Sequence, residues 1–391
     1  MTFPLALALP RALCYSGLVA QAVKLKNVKV DGDLSDWAGA VPVVLSGPGS
    51  LSLPENKWDG PADLLAAGYV GWDERSIFVA ALVLDDKVSC RDATSRDFKD
   101  SDYVRFYFDL DRDAARRGGT LREDDICVVL TPTGPRGRPM VKFPRYGGEP
   151  FRGPVGPGSL AVASRIFDGG YVVEARLPAE PLGVAPREGL RCGFQFIAGD
   201  TDDSEREAEM AWSLRGNYWF DPRFFGEVEF GGPLPVGRAL EAEPGALSVE
   251  VEPRLLLAGP TVRARLLLLL PGRALRGRLL LRRPGEGAAS AREVEVPFGR
   301  PIEVALDARP LGDGPFLVEF ECAGLVRSAR GTCLRGLWRM ALTLQQGGRG
   351  EIERALARAA LEALREGRPD EAVRALRRLS ALLGRGHEGG G

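Results

Sequence analysis

The sequence contains almost no histidine and no surplus of basic residues. Its single histidine, His387, lies in a glycine-rich tail. A Ser-His-Asp triad, histidine acid–base catalysis and a His-ligated zinc site are therefore nearly excluded. Lys+Arg 52 against Asp+Glu 53 gives a net charge of -1. Because nucleic-acid binding needs basic residues to neutralise phosphates, no nucleic-acid partner is expected.

Cysteine is also sparse. None of the six cysteines forms a CxxC pair, so buried or incidental thiols are expected rather than a zinc site or a disulfide scaffold. Cys322 and Cys333 could flank a hairpin that turns at Ala323-Gly324. In that register Cys322 pairs near Leu325 and Cys333 near Gly314, so the two thiols do not meet.

Lysine is absent from the second half of the chain, and aromatic residues are scarce after position 230. All seven lysines lie before residue 143, and only four of the 30 aromatic residues lie beyond position 230. The 391 residues therefore divide into an aromatic-rich front and a back rich in Leu, Arg and Gly. With the prior from length, this predicts two or three domains.

The chain also lacks a long uncharged apolar run after its first 22 residues, so no membrane span is expected. Those 22 residues are apolar and end in Ala20-Gln21-Ala22, an A-x-A cleavage pattern. They lack a basic n-region and contain two prolines and Arg11. We interpret residues 1–22 as a degenerate signal segment, which favours an exported protein, secreted or periplasmic; a mis-assigned start is the alternative.

From Lys24 to Phe230 the pattern is one of strands separated by glycine- and proline-rich turns. Ile77–Leu84 is an apolar run long enough for a strand buried on both faces, and Tyr103–Asp109 is a half-buried aromatic strand. This predicts a mainly β protein whose residues 23–232 form a two-sheet antiparallel β-sandwich. After the linker Gly231–Pro235, short strands over 245–340 predict a second, small immunoglobulin-like β-sandwich.

The last segment changes to a helical period. Apolar residues from Ile352 to Leu364 share one helix face, Gly367 ends that helix, and Pro369 suits the first turn of another. Residues 349–384 therefore predict a helical hairpin. One hairpin cannot bury its own apolar face, so we expect it to dock on the preceding sandwich or on a protein partner.

The front domain contains an ordered series of motifs. They are Val30-Asp31-Gly32-Asp33-Leu34-Ser35-Asp36-Trp37, Gly71-Trp72-Asp73-Glu74-Arg75-Ser76-Ile77-Phe78-Val79-Ala80, Asp85-Asp86-Lys87-Val88, Phe98–Asp109, Gly169–Pro178, Cys192–Phe196, Met210–Ser213 and Trp219-Phe220-Asp221-Pro222-Arg223-Phe224-Phe225-Gly226. In order and spacing, residues 25–230 resemble the family 9 carbohydrate-binding modules, which have a DOMON-like β-sandwich and accompany exported glycan-degrading proteins.

The resemblance implies a sugar held between two aromatic rings, at positions that correspond to Phe98 and Trp219. The apolar face of a pyranose packs well on an aromatic ring. The pattern is broken at two polar positions: Arg105 stands where the resemblance leads one to expect glutamate, and the expected arginine falls near Val128. For Trp219 a core or rim position is the alternative, and Phe98 could simply cover a sheet edge.

Clustered carboxylates are candidate ligands for a hard cation, since Ca²⁺ accepts oxygen ligands in irregular geometry. They are Asp85, Asp86, Asp200, Asp202 and Asp203. The resemblance also implies structural calcium, and solvated acidic loops are the alternative. The spacing Asp109, Asp111, Asp113 resembles the start of an EF-hand loop, but the required Gly and Glu are missing, so an EF-hand is rejected.

Three functions remain open at this point. The first is non-catalytic glycan binding in a polysaccharide-degradation or cell-envelope system, through Phe98, Trp219 and Arg105. The second is a structural or protein-interaction role in a sandwich that has lost the sugar site. The third, glycoside hydrolysis, needs two carboxylates beside a cleft. Glu174 and Glu207 could be nominated, but Glu174 is expected on the outer face of a strand and no catalytic constellation is visible.

Overall fold

The structure is a computed structural model. It describes residues 18–52, 57–90, 101–113, 120–122, 125–133, 139–142, 145–146, 149–150, 160–183, 185–202, 205–347, 350–365 and 368–385. Phe98 and Asp203, two of the sequence-based candidates, lie outside the described residues.

The chain divides into two compact units. The first contains Met1–Ala246 with Leu269–Arg273, and the second contains Leu247–Leu268 with Ala274–Gly391. The first unit has fourteen strands in the described residues: β1 Val19–Lys24, β2 Val43–Leu45, β3 Leu64–Asp73, β4 Ser76–Asp85, β5 Tyr103–Asp109, β6 Ile126–Thr133, β7 Pro139–Lys142, β8 Arg145–Tyr146, β9 Glu149–Pro150, β10 Ala161–Phe167, β11 Gly170–Pro178, β12 Arg191–Asp202, β13 Glu205–Ala211 and β14 Gly226–Gly231. A short helix, α1 Val236–Ala242, follows them.

The main sheet runs in the order β10-β11-β4-β3-β1-β14-β12-β5-β6-β7, with β13 paired to β12 and β2 to β3. Strand β1 joins the two halves because it is parallel to both β14 and β3. Residues Val19–Ala22, part of the segment interpreted as a signal, therefore belong to this strand. Cleavage after Ala22 stays a prediction.

The halves of this sheet face one another across an apolar core. Strand β4 is buried along its whole length, as its uninterrupted apolar sequence predicts. Across the core, a Cβ added at Gly68 of β3 would lie 2.8 Å from the ring of Phe196 of β12. Glycine at position 68 thus allows the two layers to approach closely. The mainly β fold predicted from the sequence is confirmed.

The second unit contains eight strands in two sheets. They are β15 Leu247–Glu252, β16 Leu255–Leu256, β17 Thr261–Leu268, β18 Ala274–Arg282, β19 Ala288–Pro297, β20 Ile302–Asp307, β21 Gly314–Cys322 and β22 Leu325–Cys333. The sheet orders are β15-β17-β20 and β16-β22-β21-β18-β19. Cys322 pairs with Leu325 and Cys333 with Gly314, so the predicted register is confirmed and the two thiols are free.

Three helices end the second unit: α2 Arg335–Gly347, α3 Glu351–Arg365 and α4 Pro369–Arg385. The last two form the predicted hairpin, and Pro369 is the first residue of α4. Helix α2 was missed because the strand interpretation was carried on to about Trp338. The hairpin packs with Trp338 and Ala341 of α2 and with Leu255 and Leu257 of the sandwich. No helix in the described part of the chain is long and apolar enough to cross a membrane.

Candidate functional site

The side chains of strand β5 alternate between two faces of the sheet. Val104, Phe106 and Phe108 enter the main apolar core. Because successive strand residues point to opposite faces, the other face of β5 carries Tyr103, Arg105 and Tyr107. We call the surface formed by these three residues the tyrosine face.

The tyrosine face is buried and polar at its centre. Arg105 is only 5% exposed. Its guanidinium carbon lies 4.6 Å from the ring centre of Tyr103, and Nη2 donates to the Tyr103 hydroxyl at 2.9 Å. A buried guanidinium requires a carboxylate partner, and that partner comes from the neighbouring hairpin.

Glu209 of β13 is this partner. Its Oε2 accepts from Arg105 Nη2 at 3.0 Å, from Arg206 Nη1 at 3.2 Å and from the Tyr103 hydroxyl. Its Oε1 accepts from Ser52 Oγ and Tyr218 Oη, both at 3.0 Å. We call Glu209 with these five donors the glutamate network. Burial raises the pKa of Glu209, but Arg105 and the other donors outweigh burial, so the pKa lies below its usual value.

A β-bulge decides which residues of β13 join this network. The β12–β13 register shifts between Asp200 and Thr201, so that Thr201 pairs with Arg206 while Gly199 pairs with Glu209. Without the extra residue, strict alternation would place Glu207 on the face of Glu209. The bulge instead brings Arg206 to the glutamate network, and Glu207 joins a different set of carboxylates.

A turn over residues 213–220 carries the aromatic segment. Gln195, fully buried on β12, donates from Nε2 to the carbonyls of Ser213 at 2.7 Å and Tyr218 at 3.1 Å. Its Oε1 accepts from the Ser213 amide at 3.0 Å. Gln195 therefore fixes both ends of the turn that presents Tyr218 to Glu209.

Trp219 follows Tyr218 directly and is 45% exposed. Its ring centre lies 4.4 Å from that of Phe220, with the planes tilted by 56°. Phe220 in turn packs against the cluster that contains Tyr103 and Tyr107. Trp219 thus lies at the surface and packs on Phe220, so it does not occupy a core position.

The structure shows what stands near Val128 and adds residues that the sequence did not single out. Val128 pairs with Phe106 and lies in the main core; the β6 residue opposite Arg105 is Val129. Arg105 itself lies on the tyrosine face, and its role in ligand binding stays a prediction. Glu209, Arg206, Tyr218 and Gln195 were not singled out, because their grouping depends on the β12–β13 pairing and its bulge, which no local motif reveals.

A second polar site lies at the ends of β4, β5 and β12. Carboxylate oxygens of Asp85, Asp102 and Asp200 lie within 4.8 Å of one another, as do those of Asp63, Asp200 and Glu207. Together with Asp202 we call these residues the carboxylate cluster. Asp86, one of the predicted ligands, is exposed and is absent from both groups of close carboxylates.

Burial and mutual repulsion raise the pKa of three acids of the cluster, to about 6 for Asp85, about 8 for Asp200 and about 10 for Asp102. Among the described residues, Asp85 Oδ2, Asp200 Oδ1 and Asp202 Oδ1 are buried without a hydrogen-bond partner. Unpartnered buried carboxylate oxygens in close groups fit a hard cation, which takes oxygen ligands and cancels their repulsion.

Glu174 lies on the outer face of β11, as its alternation predicts, because Tyr171, Val173 and Ala175 enter the main core. It is buried, and Oε2 accepts from the amides of Asp31 at 3.0 Å and Gly32 at 2.7 Å, while Oε1 accepts from Trp37 Nε1 at 2.7 Å. The outer-face prediction is therefore confirmed, although this face does not meet solvent. Strand β11 lies between β10 and β4, and the loop 31–37 covers the face that was expected to meet solvent. Glu174 thus holds this loop, whereas Glu207 belongs to the carboxylate cluster.

The first unit therefore combines a β-sandwich with an exposed tryptophan beside a buried polar network, which is the construction of a binding domain. Residues 154–232 match the family model described as "Carbohydrate family 9 binding domain-like". The chain thus contains a carbohydrate family 9 binding domain-like domain, as the motif series predicted. No curated protein matches the chain.

Among solved structures, the chain is similar to a family 9 carbohydrate-binding module from Caldicellulosiruptor kristjanssonii. The complex of that module with cellotriose is 18% identical and covers 56% of this chain and 98% of its own, with a TM-score of 0.39. The complex with glucose is 18% identical and covers 55% and 96%, with a TM-score of 0.39.

Proposed function

We propose that the first unit binds a glycan without catalysis, with a sugar ring packed on Trp219. The observation that carries this proposal is the exposed Trp219 ring, which packs on Phe220 and directly follows Tyr218, a donor to Glu209 in the glutamate network. An aromatic face removes the apolar side of a pyranose from water, while adjacent polar groups bond its hydroxyls. The family match over 154–232 supports this reading.

The glutamate network also supports the proposal. Its charged groups are held in place by hydrogen bonds before any ligand arrives, so that binding requires little further ordering of side chains. Tyr103, Arg105 and Glu209 form a rigid base, and Gln195 fixes the turn above it. Phe98, the second predicted stacking residue, remains part of the proposal and lies outside the described residues.

The test is calorimetric titration of the full chain with xylo- and cello-oligosaccharides and with xylose and glucose. We expect millimolar to micromolar binding, about −4 to −8 kcal/mol. Trp219→Ala should abolish the heat without changing thermal unfolding. The matched control is Ile166→Ala, because Ile166 is exposed to a similar degree (46%) on β10 of the same unit and should leave binding unchanged.

Unchanged binding in Trp219→Ala would contradict the proposed site. No heat with any sugar would contradict glycan binding and favour the protein-interaction alternative. That alternative is motivated by Arg105, which stands in the aromatic strand where the resemblance leads one to expect glutamate.

We also propose that the carboxylate cluster binds Ca²⁺. Asp85, Asp200 and Asp202 offer the unpartnered oxygens, and Asp63, Asp102 and Glu207 lie close to them. The ion would stabilise the ends of β4, β5 and β12 by removing repulsion between buried carboxylates.

Ca²⁺ should raise the unfolding temperature relative to EDTA, and Asp200→Asn should remove most of that increase. An equal increase in Asp86→Asn, the exposed control, is expected; an unchanged increase in Asp200→Asn would contradict the site.

A further inference from the structure

The hydrogen-bonding groups of the glycan site are unbalanced in favour of donors. Glu209 accepts from five side chains, through Oε1 from Ser52 and Tyr218 and through Oε2 from Tyr103, Arg105 and Arg206. A carboxylate has about four lone-pair positions. Glu209 therefore has no capacity left to accept a hydrogen bond from a sugar hydroxyl.

Arg206, in contrast, has N–H donors that Glu209 does not use. Among the described residues it donates only from Nη1, to Glu209 at 3.2 Å, and its side chain is 25% exposed. A guanidinium carries five N–H donors. Most of the donors of Arg206 are therefore available to a ligand, next to the carboxylate that anchors the arginine.

The charges show the same imbalance. Arg105 and Arg206 are both paired with one carboxylate, Glu209. In the adjoining turn, Asp221 is paired with Arg223 at 2.6 Å, while Arg215 at the start of the turn is exposed. A ligand that brings acceptors and negative charge would satisfy this surface better than a neutral sugar.

Building on the proposed function, we propose that the glycan recognised by this site carries a carboxylate, as in a uronic acid, and that Arg206 binds this carboxylate beside Trp219. Arginine is the side chain best suited to this task, because its planar fork matches the two oxygens of a carboxylate. Such a charge-assisted pair at a partly exposed site weakens as the salt concentration rises.

The test uses ligands that differ only in the charged group. The full chain is titrated with methyl glucuronide and methyl glucoside, and with galacturonan oligosaccharides before and after reduction of their carboxyl groups. We expect the acidic member of each pair to bind at least ten-fold more tightly in low salt. Arg206→Gln should remove that preference, and Arg206→Lys should restore only part of it.

Arg238→Gln is the matched control, since Arg238 is an exposed arginine of the same unit that pairs with Glu241 on α1. It should keep the full preference for the acidic sugar. Thermal unfolding of each variant separates lost binding from lost folding.

Three outcomes would contradict the proposals, and they can be told apart. Equal binding of acidic and neutral sugars that still depends on Trp219 would overturn the carboxylate assignment and leave the proposed function intact. A sulfated glucoside that binds as tightly as the glucuronide would also overturn it, because charge alone would then suffice. Failure of every sugar to bind a folded chain would overturn both proposals.

Discussion

The two units use polar residues in opposite ways. Among the described residues, the buried charged side chains of the first unit include Asp85, Asp102, Arg105, Glu174 and Glu209, whereas Glu319 is the one buried polar or charged residue of the second unit. Charge in the second unit lies mostly on strand surfaces, in pairs such as Arg276 with Glu295 at 2.7 Å. Buried charge is costly unless it is paired, so its concentration in the first unit depends on pairs such as Arg105 with Glu209.

Net charge separates the same two parts of the chain. Residues 1–246 contain 28 basic and 36 acidic residues, a net charge of −8, and residues 247–391 contain 24 and 17, a net charge of +7. The overall value of -1 conceals this difference. The candidate site is therefore an arginine-containing surface within an acidic unit, which sharpens the contrast between the site and its surroundings.

The strongest test of this comparison breaks the glutamate network. Arg105→Ala leaves Glu209 buried with one charged partner fewer, and removing one member of a buried pair costs about 3–5 kcal/mol. We expect the free energy of unfolding of the first unit to fall by that order. Urea titration followed by tryptophan fluorescence reports this unit, since five of the six tryptophans lie in it. A loss below about 1 kcal/mol is the size expected of a solvent-exposed ion pair, so it would contradict a strong buried pair between Arg105 and Glu209.

The next prediction concerns pH. Burial raises the pKa of Glu174 to about 7 despite its three hydrogen-bond donors. The folded state then binds more protons at Glu174 than the unfolded state between pH 4.5 and 7. The contribution of Glu174 to stability is therefore complete below pH 4.5 and is lost as the pH rises through 7. A shift of this size corresponds to an order of 2–3 kcal/mol. Glu174→Gln should flatten unfolding free energy against pH in this range, and Glu295→Gln, an exposed control in the second unit, should not. A slope unchanged in Glu174→Gln would contradict the assignment.

A smaller effect is expected from the contact between the two layers of the first unit. Gly68→Ala places a methyl group 2.8 Å from the Phe196 ring, and such overpacking costs typically about 1–3 kcal/mol. Glycines whose added Cβ would meet nothing within 4 Å, such as Gly287 in the second unit, provide the control for backbone effects. Differential scanning calorimetry should show a lower unfolding temperature for Gly68→Ala alone. Equal changes in both variants would contradict close layer packing.

The smallest effect is predicted on the surface of the second unit. Arg276 is 84% exposed, although it contacts Glu295, and exposed ion pairs contribute about 0–1 kcal/mol. Arg276→Ala should therefore change the stability of the second unit very little, in contrast with Arg105→Ala in the first. Circular dichroism during urea unfolding measures this change. A loss comparable with that of Arg105→Ala would contradict the difference between the buried ion pair of the first unit and the exposed ion pair of the second.

Local pattern was enough to predict much of the fold. The apolar run at Ile77–Leu84 predicted β4, the turn at Ala323-Gly324 predicted the β21–β22 register, and Gly367 and Pro369 predicted the break between the last two helices. Each depends on neighbours within a few residues, where backbone preference and side-chain alternation act directly. Helix α2 and the buried position of Glu174 were not predicted, because both depend on what packs against them.

By itself, the sequence determined the mainly β class, the composition boundary near residue 230, the family resemblance and the presence of Arg105 and Trp219 in the motif series. Only the tertiary structure decided that Glu209 neutralises Arg105, that a bulge brings Arg206 to the same face, and that Asp102 and Asp63 join Asp85 and Asp200. The physical reason is that these groups come from strands far apart in the chain. Their contacts depend on strand order and register, and a one-residue change in register sends a side chain to the opposite face.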